Sequence, residues 1–192
     1  MLDHVLLELV SVVREAVEDS MLEQSDIDER MVIDVWGGDI DYEASYTIPG
    51  EPEPPRVRAD LSFAWSTFSQ SAYRSWWMGQ PMQDPPGLEM GVSFRLQMQD
   101  AAPDFDAALE LFPEQANVGD VLIFERAGLL HSSFHETQLG HVHHSLEVPY
   151  RAELLLAEEL LSDPQALKTA IDPLGRWLAS SLVGLADRYL HH

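Results

Sequence analysis

The stretch that decides the fold is Val57-Arg-Ala-Asp-Leu-Ser-Phe-Ala-Trp-Ser-Thr67, in which apolar and polar residues alternate. Successive side chains of a β-strand point to opposite faces, so the pattern predicts a strand with one face in a core. Residues 88–98 repeat the alternation. Together the two stretches predict an antiparallel sheet with one face covered and the other partly open to water.

The composition is that of an ordinary globular chain. It has 192 residues, 45% of them hydrophobic, and this length predicts one sizeable core. No apolar run approaches the roughly 18 residues that cross a bilayer, and the N-terminus lacks the basic flank of a secretory signal. The absence of cysteine excludes disulfides, thiol catalysis and thiolate metal sites. These features predict a soluble, cytoplasmic protein that does not enter membranes.

The net charge is the most unusual property of the sequence. Thirty-three acidic residues against eleven basic ones give −22, and Lys168 is the single lysine. Nucleic-acid backbones and anionic membranes are bound by clustered lysine and arginine, so neither is expected as a direct partner. Two interpretations stay open. The charge keeps the protein in solution, or it attracts a basic partner protein, such as a DNA-binding protein.

The remaining patterns predict an α+β fold. Apolar residues recur every three or four positions over residues 2–21, which indicates an N-terminal helix. Strands are predicted on both sides of a Gly37-Gly38 turn, with one bent strand as the alternative, and a short helix over residues 104–112. We therefore expect an N-terminal helix, an antiparallel sheet of about five or six strands interrupted by that short helix, and C-terminal helices.

Prolines and glycines divide the C-terminal half. Asn117-Val-Gly-Asp120 predicts a turn, and Leu139-Gly140 predicts the turn of a hairpin that Pro149 closes. Helices are predicted over residues 151–161 and from residue 162 onward, with a new helix starting at Asp172-Pro173. We interpret residues 1–192 as a single domain, with a core over residues 1–161 and a helical extension over residues 162–192.

The connector between the two long strands, roughly residues 69–87, is rich in proline and is expected to be a loop. It carries Tyr73, Trp76, Trp77 and Met78. Adjacent tryptophans cannot both face one side of a strand, so one of them is expected to be exposed or to sit against another surface. Either these side chains cap the core, or they contact a partner or a second subunit, where aromatic and methionine side chains concentrate. We take the four as candidate partner- or dimer-binding residues.

A histidine cluster is the one constellation that resembles a metal site. It contains His131, His135, His141, His143 and His144. His141-Val-His143 with Glu147 is similar to the first metal motif of cupins, and residues 119–124 leading to His131 look like the late strand and distal histidine of iron/2-oxoglutarate oxygenases. The cupin pattern lacks its downstream histidine and the oxygenase pattern its upstream His-x-Asp or His-x-Glu, so the metal triad is incomplete.

Strand geometry decides whether these histidines converge. His131 and His135 share one face of a strand, as do His141 and His143. A three-residue turn puts the two pairs on the same side of the sheet, whereas a turn of two or four residues separates them. The plainer alternative is polar decoration of an exposed sheet face. No catalytic, cofactor-binding or metal-ligating residue is assigned from the sequence.

The order of elements over residues 1–161 resembles the type III secretion chaperone fold and the related YbjN-type proteins. The resemblance rests on the N-terminal helix, the strands around residues 31–48, 57–67 and 88–98, the short helix, and the strands from 121 to 148. Small size, strong acidity and absence of cysteine are also similar. It implies a homodimer without enzymatic activity that binds a segment or domain of another protein along apolar patches.

Three function hypotheses follow from the sequence, the third being a structural chain of a larger complex that docks through its C-terminal helices. The leading one is a non-enzymatic, acidic protein-binding module, dimeric and chaperone- or adaptor-like, without cofactor. The alternative is a metal-dependent enzyme that uses the cluster from His131 to His144. The extra helices over residues 164–190 depart from the secretion-chaperone pattern and either cover or enlarge the binding surface.

Overall fold

The structure is a computed structural model that describes residues 2–20, 23–24, 30–33, 38–50, 54–82 and 84–190. Along these residues the helices are α1 (Leu2–Glu18), α2 (Thr67–Trp77), α3 (Phe105–Leu111), α4 (Glu158–Ser162) and α5 (Pro164–Tyr189). The strands are β1 (Glu23–Gln24), β2 (Arg30–Ile33), β3 (Ile40–Thr47), β4 (Val57–Trp65), β5 (Gly87–Gln99), β6 (Gln115–Val118), β7 (Leu122–Arg126), β8 (Leu130–Glu136) and β9 (His141–Leu155). The N-terminal helix, the short helix between strands and the C-terminal helices confirm the α+β fold class.

All the described strands belong to one antiparallel sheet. Its order is β1-β3-β4-β5-β9-β7-β6, with β2 also paired to β3 and β8 also paired to β9. The pairing of Ile33 with Ile40 confirms the hairpin rather than one bent strand; Gly37 of its turn lies outside the described residues. The sheet has nine strands rather than about five or six. The two-residue β1 and the four-residue β6, which includes Asn117 and Val118 of the predicted turn, are too short for an alternating pattern to reveal.

One face of the sheet is covered by helices. The odd-numbered residues of β4 are buried from Val57 to Trp65, as the alternation predicts. Helix α5 lies on this face, and its Trp177 ring is 4.9 Å from the ring of Phe124 and 5.2 Å from that of Phe94. Helix α1 packs against α5, with Val10, Val13, Ala16 and Val17 buried. The side chains of α1, the sheet and α5 therefore form one hydrophobic core.

The predicted loop over residues 69–87 is wrong in its first half, where the chain forms α2. Ser66 caps this helix, because its hydroxyl accepts a hydrogen bond from the N–H of Ser69. The prolines that suggested a loop all follow the end of the helix. The Nε2 group of Gln70 donates to the carbonyls of Gly38 and Trp65 at 2.7 and 3.1 Å. Helix α2 is thereby fixed across one end of the sheet.

Pro149 does not close the hairpin, and the helix predicted over residues 151–161 is strand in its first five residues. β9 runs through Pro149 to Leu155, and only Glu158–Ser162 is helical. The N–H and C=O of one strand residue point to the same side, and the carbonyl of Pro149 accepts from the N–H of Ala127. The side of Pro149 that would carry its N–H therefore faces away from β5. It lies at the gap where β8 ends as the neighbour of β9 and β7 begins. No ladder bond to β5 is lost there.

Pro173 does not start a new helix, because α5 runs without interruption from Pro164 to Tyr189. A proline inside a helix costs about 3 kcal/mol. The neighbouring Ile171 and Leu174 are completely buried, and burial of one such side chain contributes about 1.5–3 kcal/mol. The Pro173 ring packs on the turn before β7, where a Cβ on Gly119 would lie 2.8 Å from Pro173 Cγ. Packing on the sheet outweighs the local preference for a helix end.

Candidate functional site

The face of the sheet opposite α5 carries its side chains in rows that cross the strands. The register places Asp41 of β3 opposite Ala64 of β4, then Glu89 of β5 and Glu153 of β9. Residues directly opposite on an antiparallel pair point to the same face, so these four side chains form one row. Three of the four are carboxylates, which makes this end of the open face strongly acidic.

The next row is Glu43, Ser62, Gly91 and Arg151. Apart from Gly91, the residues of both rows line a cavity of about 790 Å³. The small side chains of Ser62 and Ala64 form its floor, and a Cβ on Gly91 would lie 2.5 Å from the hydroxyl of Ser62. We call this cavity the acidic groove and define it by its charged lining residues, Asp41, Glu43, Glu89, Arg151 and Glu153. Four carboxylates there face one guanidinium.

Three of the four carboxylates of the acidic groove are without a partner in the described part of the chain. Within the described residues, Asp41, Glu89 and Glu153 have no hydrogen-bond or ion-pair partner. The Glu153 carboxyl folds over the backbone of Gly87, where its Cδ atom is 3.3 Å from the place a Cβ would take. Neighbouring carboxylates on one sheet face repel each other. A cation that enters the groove relieves this repulsion.

The middle of the open face is neutral and internally paired. The Oδ2 atom of Asp60 is 3.0 Å from Nε of Arg95, and the hydroxyl of Ser45 donates to its Oδ1 atom at 2.5 Å. Arg95 also lies 3.5 Å from Glu147, whose other oxygen accepts from Ser93 at 2.8 Å. Arg58 adds a second guanidinium, with its Nε 3.3 Å from Oδ1 of Asp60, so two carboxylates and two guanidinium groups balance in charge on this part of the face. The unpaired charge of the open face is therefore concentrated in the acidic groove.

The histidines divide between the two faces of the sheet. The turn between β8 and β9 comprises residues 137–140, which is the four-residue case that separates the two pairs. His131 and His135 face the helix side, where the His131 ring contacts Phe105. His141 and His143 face the open side. The four ligands that the metal-enzyme hypothesis requires do not converge, and among the described residues no group of three or more His, Asp or Glu side chains is placed to hold a metal ion.

Several of these histidines have partners within the chain. Nδ1 of His141 is 2.8 Å from Oδ2 of Asp100, whose Oδ1 accepts from the Val142 N–H at 3.0 Å. These two hydrogen bonds, the one from Val142 first, hold the pKa of Asp100 below its usual value. Nε2 of His143 lies 3.2 Å from Glu136. The geometry supports polar decoration and local fixing of the β8–β9 hairpin.

The residues predicted for partner contact form one cluster on α2, with different exposure. The Tyr73 ring lies 5.8 Å from Trp76 and 6.2 Å from Trp77, and the two tryptophan rings are 6.3 Å apart. Tyr73 is buried against Trp65, and Trp76 is half-buried. Trp77 and Met78 are 55% and 67% exposed. Of the four, these two present the most apolar surface to solvent, whereas Tyr73 is buried beside the tryptophans.

Sequence reasoning missed two parts of this surface. Phe68 of α2 is 70% exposed and lines a cavity of about 370 Å³ with Ala72, Pro81 and Met82. A helical spacing from Phe68 to Ala72 would have revealed it, had the segment been recognised as a helix. The acidic groove was also missed, because its residues come from three separate strands and only the register brings them together.

Comparison of the chain with protein-family models, with curated proteins and with solved structures found no match. Within the described residues, no helix combines the length and the apolarity needed to span a membrane.

Proposed function

We propose that this protein is a non-enzymatic, acidic protein-binding module, chaperone- or adaptor-like and homodimeric, whose acidic groove holds a basic segment of another protein. The observation that carries the proposal is the groove itself, in which Asp41, Glu89 and Glu153 lie without partners among the described residues. The protein's net charge of −22 adds a long-range attraction for a basic partner. A cytoplasmic location, which the absence of cysteine favours, belongs to the same proposal.

The chemistry of the groove favours lysine and arginine side chains. A basic protein, for example one that binds DNA, offers such side chains, whereas a nucleic acid would be repelled by the four carboxylates. Arg151 at the edge of the groove adds a directional element, because it repels one end of a basic segment and attracts an acidic residue there. The exposed Trp77 and Met78 on α2 supply a second, apolar contact of the kind that protein interfaces use.

The proposal agrees with the resemblance to type III secretion chaperones and YbjN-type proteins, which implies a homodimer that binds a segment of another protein. Helix α5 is the element of this chain that has no counterpart in the secretion-chaperone pattern. It occupies the helix-covered face of the sheet, so the partner surfaces left to this chain are the open face and α2.

The groove is tested with a labelled decapeptide of alternating lysine and serine, whose binding is followed by fluorescence anisotropy at low salt. The variant D41N/E89Q/E153Q removes three groove carboxylates. At about 0.3–1 kcal/mol for each exposed ion pair, we expect affinity to fall by on the order of ten- to a hundredfold. Rising salt should weaken wild-type binding more than that of the variant.

The matched control is E114Q/E159Q/D187N, which changes the net charge equally at exposed positions outside the groove. We expect the control to bind the peptide within about twofold of wild type, because screening confines the effect of each charge to about 10 Å. Equal weakening of both variants would show that only net charge matters and would refute the groove. Absence of binding by wild type would refute the proposal as a whole.

The adaptor role and the α2 contact are tested in native lysate. Immobilised protein should retain a discrete basic protein at low salt, release it at moderate salt, and retain less of it when Trp77 or Met78 is alanine. Trp76 is unsuitable for this purpose, because it packs on the buried Tyr73 and its loss would loosen the core. Unchanged retention by W77A and M78A would remove α2 from the proposed surface.

A further inference from the structure

Strand β8 is an edge strand with exposed side chains on both faces. It pairs only with β9 among the described strands, along the register from Leu130 opposite Glu147 to Glu136 opposite His141. Leu130 and Phe134 on its open face are 56% and 67% exposed. The pairing with β9 is regular, without a bulge, and the strand contains no lysine and no proline. It therefore lacks three of the devices that natural edge strands use against pairing, namely a bulge, lysine and proline.

The backbone of β9 determines which groups of β8 face outward. Val142 directs its N–H and C=O toward Asp100 at the end of β5. Backbone groups alternate in direction along a strand, so His141 and His143 direct theirs toward β8. Their partners Glu136 and Phe134 then bond to β9. Alternation along β8 leaves the N–H and C=O groups of His131, Ser133 and His135 pointing away from the sheet.

The charge of this edge differs from that of the rest of the chain. Residues 127–146 contain one acidic residue, Glu136, and no lysine or arginine, in a protein with 33 acidic residues. Two copies that each carry a net charge of −22 repel each other. The β8 edge is a place where they approach with little of this repulsion. A basic partner protein, in contrast, would find little there to attract it.

We propose that β8 pairs with β8 of a second copy of this chain, antiparallel and around a two-fold axis at Ser132. This register sets Ser132 opposite its own counterpart, and Leu130 opposite Phe134 of the second copy, twice. These would be non-hydrogen-bonded pairs, whose side chains approach most closely. His131 and Ser133 would exchange the backbone hydrogen bonds. The neighbouring register, centred on Ser133, sets Leu130 against the charge of Glu136 and is less favourable.

The pairing joins two sheets into one and gives the dimer a geometric property. A two-fold axis perpendicular to the sheet keeps both open faces on the same side, so both acidic grooves face the same direction. A partner with two basic segments then binds with a higher effective concentration at the second groove. This interface rests on the homodimer part of the proposed function. Binding of a single basic peptide does not depend on it, so the two fail separately.

The test uses the absence of native cysteine. A single S132C substitution should give a disulfide-linked dimer on a non-reducing gel after mild oxidation, because opposite non-hydrogen-bonded residues lie about 4.5 Å apart at Cα, within disulfide range. S133C should cross-link at least about fivefold less, because its sulfur points to the other face and is offset along the strand. Preferential cross-linking of S133C, or equal cross-linking of both, would overturn the proposed register.

The interface itself is tested by light scattering on the full chain. Wild type should run at twice the 21.6 kDa of one chain, and F134K should run as a monomer that keeps the wild-type circular dichroism spectrum. S133P is a second variant, because its lost N–H points away from β9 and leaves that ladder intact. V183K adds the same charge as F134K at a 46% exposed site on α5 and should stay dimeric. A monomeric wild type, or a dimer that survives both F134K and S133P, would overturn the proposal.

Discussion

The close crossing of α1 and α5 gives the sharpest stability prediction. Gly175 of α5 faces Ala16 of α1. A Cβ on Gly175 would lie 2.6 Å from the carbonyl carbon of Ala16, closer still to its oxygen, and 2.7 Å from the hydroxyl of Ser20. Carbon atoms in contact are separated by roughly 3.5–4.0 Å. The substitution G175A therefore requires the helices to move apart by about 1 Å.

The clash is with backbone, so no side-chain rotation relieves it. Overpacking of this kind costs about 1–3 kcal/mol, and sometimes more, whereas replacing glycine by alanine in a helix gains up to about 1 kcal/mol. The neighbours Val13, Val17, Leu174 and Leu178 are completely buried, and any separation of the helices loosens them. We expect G175A to lower the free energy of unfolding by about 1–3 kcal/mol, or the Tm by about 2–12 °C.

Gly184 provides the matched control on the same helix. A Cβ there would meet Leu111 Cδ2 at 3.6 Å, an ordinary contact. The same substitution, G184A, should therefore raise the free energy of unfolding by about 0.5–1 kcal/mol. Urea denaturation followed by tryptophan fluorescence measures both variants. If G175A were as stable as wild type, the argument that glycine permits the α1–α5 approach would be refuted.

Two further changes test individual hydrogen bonds. S66A should cost about 1 kcal/mol in thermal denaturation, because α2 loses the oxygen that accepts from the N–H of Ser69, and an unchanged Tm would contradict this capping role. Y150F should cost about 0.5–1.5 kcal/mol, because the buried hydroxyl donates to the carbonyl of Pro113 at 2.6 Å. Burial also raises the pKa of Tyr150 to about 12, above the unfolded value of about 10, so its stabilisation is complete below pH 10 and is lost as the pH rises toward 12. Between pH 10 and 12 the free energy of unfolding of wild type should therefore fall more steeply with pH than that of Y150F. Parallel pH dependences of the two proteins would contradict the raised pKa.

Most of the fold could be predicted from the local spacing of apolar residues. The alternation in β4 and β5 and the three- and four-residue spacing in α1 and α5 record directly which face of each element is buried. This is why the fold class and the order of elements follow from the sequence. The open second face of the sheet follows from the same alternation, because its polar residues occupy every other position.

The errors lie where tertiary contacts override a local signal. Pro149 was expected to end a strand, but its missing N–H falls at the gap between β7 and β8. Pro173 was expected to begin a helix, but its neighbours are buried on the sheet. Tyr73 and Trp76 were assigned to a loop by the prolines that follow them, although Ser66 supplies a cap for α2. Each outcome depends on a neighbour that is distant in sequence.

The candidate sites also divide into features that a local pattern predicts and features that depend on tertiary contacts. His131 and His141 face opposite sides of the sheet because the turn between their strands has four residues. The dependence on turn length could be predicted from the sequence, but the length itself could not. Asp41, Glu89 and Glu153 form one row only through the strand register, which no local pattern encodes. Exposure of Trp77 and Met78 agrees with the residue types that interfaces favour. Their role in partner binding stays a prediction.

The most direct test of the acidic groove is an NMR titration of the ¹⁵N-labelled protein with the lysine–serine decapeptide. We expect the amide signals of Ala64, Glu89 and Arg151 to shift progressively and to recover as salt is added. The signals of His143 and Phe134, at the neutral end of the open face, should stay in place. Shifts spread evenly over the acidic surface, or centred on the helices, would contradict the claim that the groove is the binding site.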